Sequence, residues 1–244
     1  FTFIAVGTLA LVTLTVASAS YRFTRNFFII FVAISIGWAA VLDLVHALAY
    51  HGMQVIPGDE ATWSSQLWIA GRSMQAVALV IAPRFVTKPF RLAGLHFGLG
   101  LYVLLAMTAV FTGHFPLTFV EGSGLTPFKI WAEYAIIGLL LVAMVHLWLQ
   151  RVHLSVPQRA GLLGAMALMI LSEIAFSQYV SLYGMANVVG HLLKIFSYWF
   201  VFVALVRATL VKPFESRTAN VIARVRALRW RKGEQADIGF GGHA

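Results

Sequence analysis

Long apolar stretches, interrupted at near-regular intervals by short polar ones, dominate the pattern of this chain. A membrane-crossing helix needs about 20 mostly apolar residues. Seven stretches qualify, at about 1–20, 27–50, 64–83, 92–112, 128–149, 160–182 and 188–211. The interruptions carry turn residues, among them Pro57-Gly58, Pro89, Pro116, Gly122 to Gly124, Pro157 and Gly184. Period-2 alternation is absent, which argues against a membrane β-barrel. The pattern predicts an all-α polytopic membrane bundle of seven transmembrane helices.

The interruptions alternate in sign. Arg22 and Arg25 follow the first span, Arg84, Lys88 and Arg91 the third, Arg151 and Arg159 the fifth, and a basic tail the seventh. Asp59 and Glu60 follow the second span and Glu121 the fourth, while the sixth is followed by no charge. Basic loops stay on the cytoplasmic side, so the expected topology has the N-terminus outside and the C-terminus in the cytoplasm.

Composition agrees. The chain is 60% hydrophobic and 11% charged over 244 residues, where a soluble domain averages about 25% charged. Cysteine is absent, which removes disulfides, thiolate metal sites and cysteine nucleophiles. The net charge of +9 does not point to nucleic acid. Much of it lies in Arg217, Arg224, Arg226, Arg229, Arg231 and Lys232, directly after a span, where a basic cluster meets anionic lipid and fixes topology. Phe1 opens an apolar run with no basic leader, which reads as a trimmed N-terminus rather than a signal peptide.

Against this apolar background nine ionisable side chains stand out: Asp43, His46, Arg72, Glu121, Lys129, Glu133, Glu173, His191 and Lys194. A helix rises about 1.5 Å per residue, so the topology converts position into depth. All nine fall at mid-depth or in the outer half. Asp43 and His46 share a helix face with Tyr50, Lys129 shares one with Glu133, and His191, Lys194 and Tyr198 repeat the stripe on the last span. Within the spans Asp43, Glu133 and Glu173 oppose Arg72, Lys129 and Lys194, so the set can neutralise itself. Charge in hydrocarbon is expensive and marks a functional site by default. The plain alternative is that these groups only set the register of packed helices, although packing contacts would be expected at every depth.

Three chemistries stay open. His46 and His191 could approach across the bundle near a carboxylate and bind a metal ion or haem. No HExxH motif, no His pair at i, i+4 within a span and no Cys adds weight to that reading. Histidine beside carboxylates also suits a proton relay, and the cations could hold an anionic ligand. Other candidates are weaker. Ser172 and Ser177 lack a nucleophile elbow, and Gly122-Ser123-Gly124 lacks a phosphate-binding lysine arrangement. Trp63, Trp68, Trp131 and Trp148 read as interfacial anchors. Gly94, Gly98 and Gly100 come nearest to a small-residue stripe for a homodimer.

The specific strings carry more. Leu42 to Met53 with Asp43, His46 and Tyr50, then Trp68 to Arg72, then Glu121 to Lys129 with Glu133-Tyr134, then Ser172-Glu173 followed by Tyr179 and Tyr183-Gly184, and finally Gly190 to Lys194 occur in order. Together they resemble the third family of bacterial membrane-associated sensor domains, over about Phe27 to Phe214. The resemblance implies a non-enzymatic input module of the bacterial inner membrane, typically fused to histidine kinase, PAS or diguanylate cyclase regions. That places it in two-component or cyclic di-GMP signalling and specifies no ligand or cofactor.

The expected organisation is a sensor domain over 1–214 and a basic cytoplasmic tail over 215–244, too short for a kinase or cyclase, so the output would lie in a fused or separate partner. Val221, Ile222, Val225 and Leu228 in that tail have helical spacing. The expected function is detection of a small ligand, ion, metal, haem or proton in an outer-half polar cavity, relayed through the seventh span. The rivals are an ion- or proton-coupled transporter or channel, which would need polar residues through the inner half, a membrane redox protein holding metal or haem, and an enzyme acting on lipid or quinone.

Overall fold

A computed structural model of the chain describes residue 15 and residues 26–50, 55–56, 60–120, 123–177 and 185–207. Six long helices dominate the described residues: α1 (Phe27–Leu48), α2 (Glu60–Ile81), α3 (Leu92–Phe111), α4 (Pro127–Leu149), α5 (Val156–Ser177) and α6 (Met185–Val206). All six are long and apolar enough to cross a membrane. They match the second to seventh predicted spans to within a few residues. The predicted first span, apart from Thr15, lies outside the described residues, as do Glu121 and the basic tail.

Local chemistry sets the helix ends. Asn26 caps α1, its side-chain oxygen accepting from Ile29 N–H at 3.2 Å, and Thr126 caps α4 in the same way through Lys129 N–H at 3.3 Å. Pro127 opens α4 where a missing N–H costs nothing. Pro83 cannot donate within a helix, and here α2 tightens into a 3-10 turn, Ala82–Val86. After α3 the chain reverses at Gly113, whose φ of +73° suits a residue without a Cβ. A two-residue hairpin not anticipated from the sequence follows, β1 (Phe119–Val120) paired antiparallel with β2 (Gly124–Leu125), and Gly124 at φ +83° completes it.

Burial is uneven. α1 is apolar almost all round and buried on most of its surface, as expected of an interior helix. α3 buries only Val103, Ala106 and Val110 and turns Phe97, Leu104 and Leu105 outward. α1 packs on α2, α2 on α4, α4 on α5 and α5 on α6, with α3 flanking α1 and α2. α5 and α6 approach closely because glycine lines the seam: a Cβ on Gly161 would stand 2.9 Å from that of Ala204, and one on Gly190 would stand 2.6 Å from the Phe176 ring. Ser172 locks the same pair, its hydroxyl donating to the Gly190 carbonyl at 2.8 Å.

The two ends of the bundle differ in chemistry. The segment after α2 carries Arg84, Lys88 and Arg91, and the loop after α4 with the first turn of α5 carries Arg151 and Arg159, with no carboxylate among their residues. The opposite end holds the buried ionisable groups.

Candidate functional site

Helical spacing places the ionisable side chains on inward faces, and helix packing brings them together. α1 supplies Asp43 and His46, α2 Arg72, α4 Lys129 and Glu133, α5 Glu173, and α6 His191 and Lys194. Asp43, Arg72, Lys129, Glu133, Glu173 and Lys194 are each no more than 4% exposed. His46 is buried too, and His191 is partly buried. Of the nine predicted site residues these eight share one region, and the ninth, Glu121, lies outside the described residues.

Asp43 is the hub. Its carboxylate accepts from Arg72 Nη2 at 2.7 and 2.8 Å, from Lys194 Nζ at 2.8 Å and from the Tyr198 hydroxyl at 3.2 Å. One acid thereby joins α1, α2 and α6. Arg72 also donates to the Tyr198 oxygen at 3.3 Å and to Gln75 Oε1. Charge-assisted bonds of this kind are among the strongest available to side chains.

A second pair lies within α4, where Lys129 Nζ donates to Glu133 Oε1 at 2.7 Å. Glu173 stands between the two groups. It is in electrostatic reach of Glu133, Arg72, Lys129 and Lys194, yet its Oε2 has no hydrogen-bond partner. Among the described residues three carboxylates and three cations are therefore shared unequally: Asp43 takes two cations, Glu133 one, and Glu173 has no ion pair within 4 Å.

Beside the hub sits a cluster of rings. His46, Trp68, Phe176 and His191 pack with centroid separations of 4.4 to 6.4 Å, the longest between the two imidazoles. His46 Nδ1 lies 2.7 Å from the Ser64 carbonyl oxygen, which requires Nδ1 to carry the proton. Lys194 Nζ stands 3.9 Å from the centre of the Trp68 ring, and the Arg72 guanidinium lies at 5.1 Å. Both cations thus gain a π face in a region closed to water.

Trp68 is the position where the sequence expectation fails. It is not an interfacial anchor but is 3% exposed at the centre of the site. Trp63 packs edge-on against Phe111, whereas Trp131 and Trp148 do lie on the outer surface. Gln75 was also missed. Both residues could have been found from Arg72, since Trp68 and Gln75 sit at i−4 and i+3 on its helix face. No group of three or more His, Asp or Glu among the described residues is arranged to hold a metal ion.

A family model described as a membrane-associated sensor domain, MASE3, covers residues 2–213. No curated protein and no solved structure matches the chain. With nearly its whole length matched, the chain belongs to the MASE3 family of membrane-associated sensor domains.

Proposed function

We propose that this sensor domain detects its stimulus at the buried ionic site and passes the response along α6. The observation that carries the reading is the unequal sharing of charge. α6 is tied to α1 and α2 through Lys194 on Asp43 and through Tyr198, while Glu173, on the neighbouring helix, has no ion pair with another described residue. A stimulus that alters the charge near Glu173, whether a small ligand, an ion or a proton, changes the balance holding Lys194 to Asp43. Only a stimulus with different affinities for the two arrangements shifts between them.

A metal ion or haem would bind at the His46–His191 pair, where Nδ1 of His46 is held by Ser64 and Nε2 carries the lone pair. The basic end would lie in the cytoplasm by the positive-inside rule. α6 would then lead into the tail from 215 onward and on to a kinase or cyclase output, fused or separate, at the bacterial inner membrane. A transport path is less well supported. Beyond the ionic site α1 buries Ile29, Phe31, Val32 and Ile36, with no buried charge.

The test is a chimera in which a diguanylate cyclase follows Phe214. His191→Ala and Lys194→Ala should each change cyclase output, and Phe97→Ala on the exposed face of α3 should not. Unchanged output in both site variants would end the proposed route through α6.

A further inference from the structure

We infer that a second site, at the basic end of the bundle, binds the phosphate group of an anionic phospholipid. It is a cavity of about 430 Å³, within the size range of small-ligand sites. The first turn of α1 supplies Asn26, Phe27 and Phe28. The 3-10 turn and following loop supply Phe85, Val86, Thr87, Lys88 and Pro89, and the α4–α5 loop supplies His153 and Leu154. The ionic site starts 15 residues further along α1 at Asp43, roughly 22 Å away at the helical rise. The two sites are separate.

The lining is amphiphilic in a way that matches a lipid headgroup. Lys88 brings the cation, Thr87 a hydroxyl and His153 an imidazole. Asn26 spends its side-chain oxygen on the Ile29 N–H, which leaves its amide NH₂ as a donor. Arg84, Arg91 and Arg151 lie in the same two loops and Arg159 in the first turn of α5, and none of these segments contains a carboxylate. A cation would be repelled and a phosphate attracted.

Beneath this polar rim lie packed aromatic rings. Phe85 packs tilted against Phe31 at 4.6 Å and against Phe90 at 4.8 Å, and Phe27 meets Phe90 edge-on at 5.7 Å. Donors above and hydrocarbon below suit a glycerophosphate whose chains run into the bilayer. A free phosphate ion would use only the upper half. The cavity also bridges the loops after α2 and α4, so an occupied site would tie the α1–α2 pair to the α4–α5 pair.

The test uses the full chain in nanodiscs of phosphatidylcholine containing graded phosphatidylglycerol, with retained lipid counted by native mass spectrometry. Wild type should retain one phosphatidylglycerol in preference to phosphatidylcholine. Lys88→Gln with His153→Gln should weaken that retention about tenfold, while His114→Gln, exposed after α3 at the opposite end of the bundle, should leave it unchanged. Val86→Trp, which fills the cavity and removes no charge, should abolish it. Equal retention in wild type and the double variant would overturn the site. Full retention by Val86→Trp would show surface charge rather than a cavity and would overturn it equally. Inorganic phosphate that binds in lipid-free detergent, with the same sensitivity to the variants, would overturn the assignment to lipid.

Discussion

Replacing Asp43 by asparagine keeps the shape of the hub and removes its charge. Lys194 Nζ at 2.8 Å and Arg72 Nη2 at 2.7 Å would then share a buried neutral amide, with Glu173 the remaining acid in reach of both. Removing one partner of a buried pair typically costs about 3–5 kcal/mol. Lys194→Met costs less, about 1.5–3 kcal/mol, because Asp43 retains Arg72. Asp43→Asn together with Lys194→Met removes one charge of each sign and leaves only Arg72 unpaired. The double variant should therefore cost about as much as Asp43→Asn alone, giving a coupling of about 1.5–3 kcal/mol. Unfolding of the four proteins in mixed micelles by added dodecyl sulfate, followed by tryptophan fluorescence, measures it. Polar contacts between membrane helices average about 0.6 kcal/mol, so a coupling at or below that value would refute an ionic hub.

Further outcomes follow from the same geometry. Glu173→Gln should change stability by less than about 1 kcal/mol, since no ion pair is lost, whereas Glu133→Gln removes the carboxylate at 2.7 Å from Lys129 and should cost about 1.5–3 kcal/mol; unfolding midpoints of the two variants make the comparison. Gly190→Ala drives a methyl into the Phe176 ring and should cost about 1–3 kcal/mol by overpacking. Gly98→Ala meets nothing within 4 Å and should be neutral or stabilising in the same assay. Trp68→Ala should destabilise by about 3–5 kcal/mol and remove the ring under Lys194, whereas Trp131→Ala, 72% exposed, should leave the unfolding midpoint almost unmoved.

Six of the spans and the clustering of the buried ionisable residues were legible because hydrocarbon imposes a severe filter. A charge tolerated there must face other polar groups, so scarcity and shared depth together selected Asp43, Arg72, Lys129, Glu133, Glu173 and Lys194. The Tyr198 stripe was legible for the same reason, and Tyr198 does meet Asp43. The pairing was not legible. Which cation reaches which acid depends on the rotation of each helix and on rotamers, neither of which leaves a trace in hydropathy. The count of three acids and three cations says only that the set can neutralise itself, and among the described residues the packing gives Asp43 two cations and Glu173 no ion pair.

Trp68 was misread for a related reason. Tryptophan near a predicted span end normally sits at the headgroups, but this one starts the face that carries Arg72 and is covered by Phe176 and the two imidazoles. The hairpin after α3 was missed because two-residue strands lie below the length at which periodicity can be read. The loop that leads into it is fastened in place. Gln66 Nε2 on α2 donates to the Phe115 and Pro116 carbonyls at 3.0 Å, and the Thr126 hydroxyl donates to the Leu117 carbonyl at 2.6 Å, fastening the loop over the entrance to α4.

The central claim is that the charge state of the hub sets the position of α6. Spin labels at Val145 on α4 and Arg207 directly after α6, both exposed and toward the end of the bundle away from the hub, would report that position as a distance distribution in nanodiscs. Asp43→Asn should shift the distribution from that of the unsubstituted hub, and adding Lys194→Met should move it part of the way back. Distributions that superimpose in all three proteins would contradict the account.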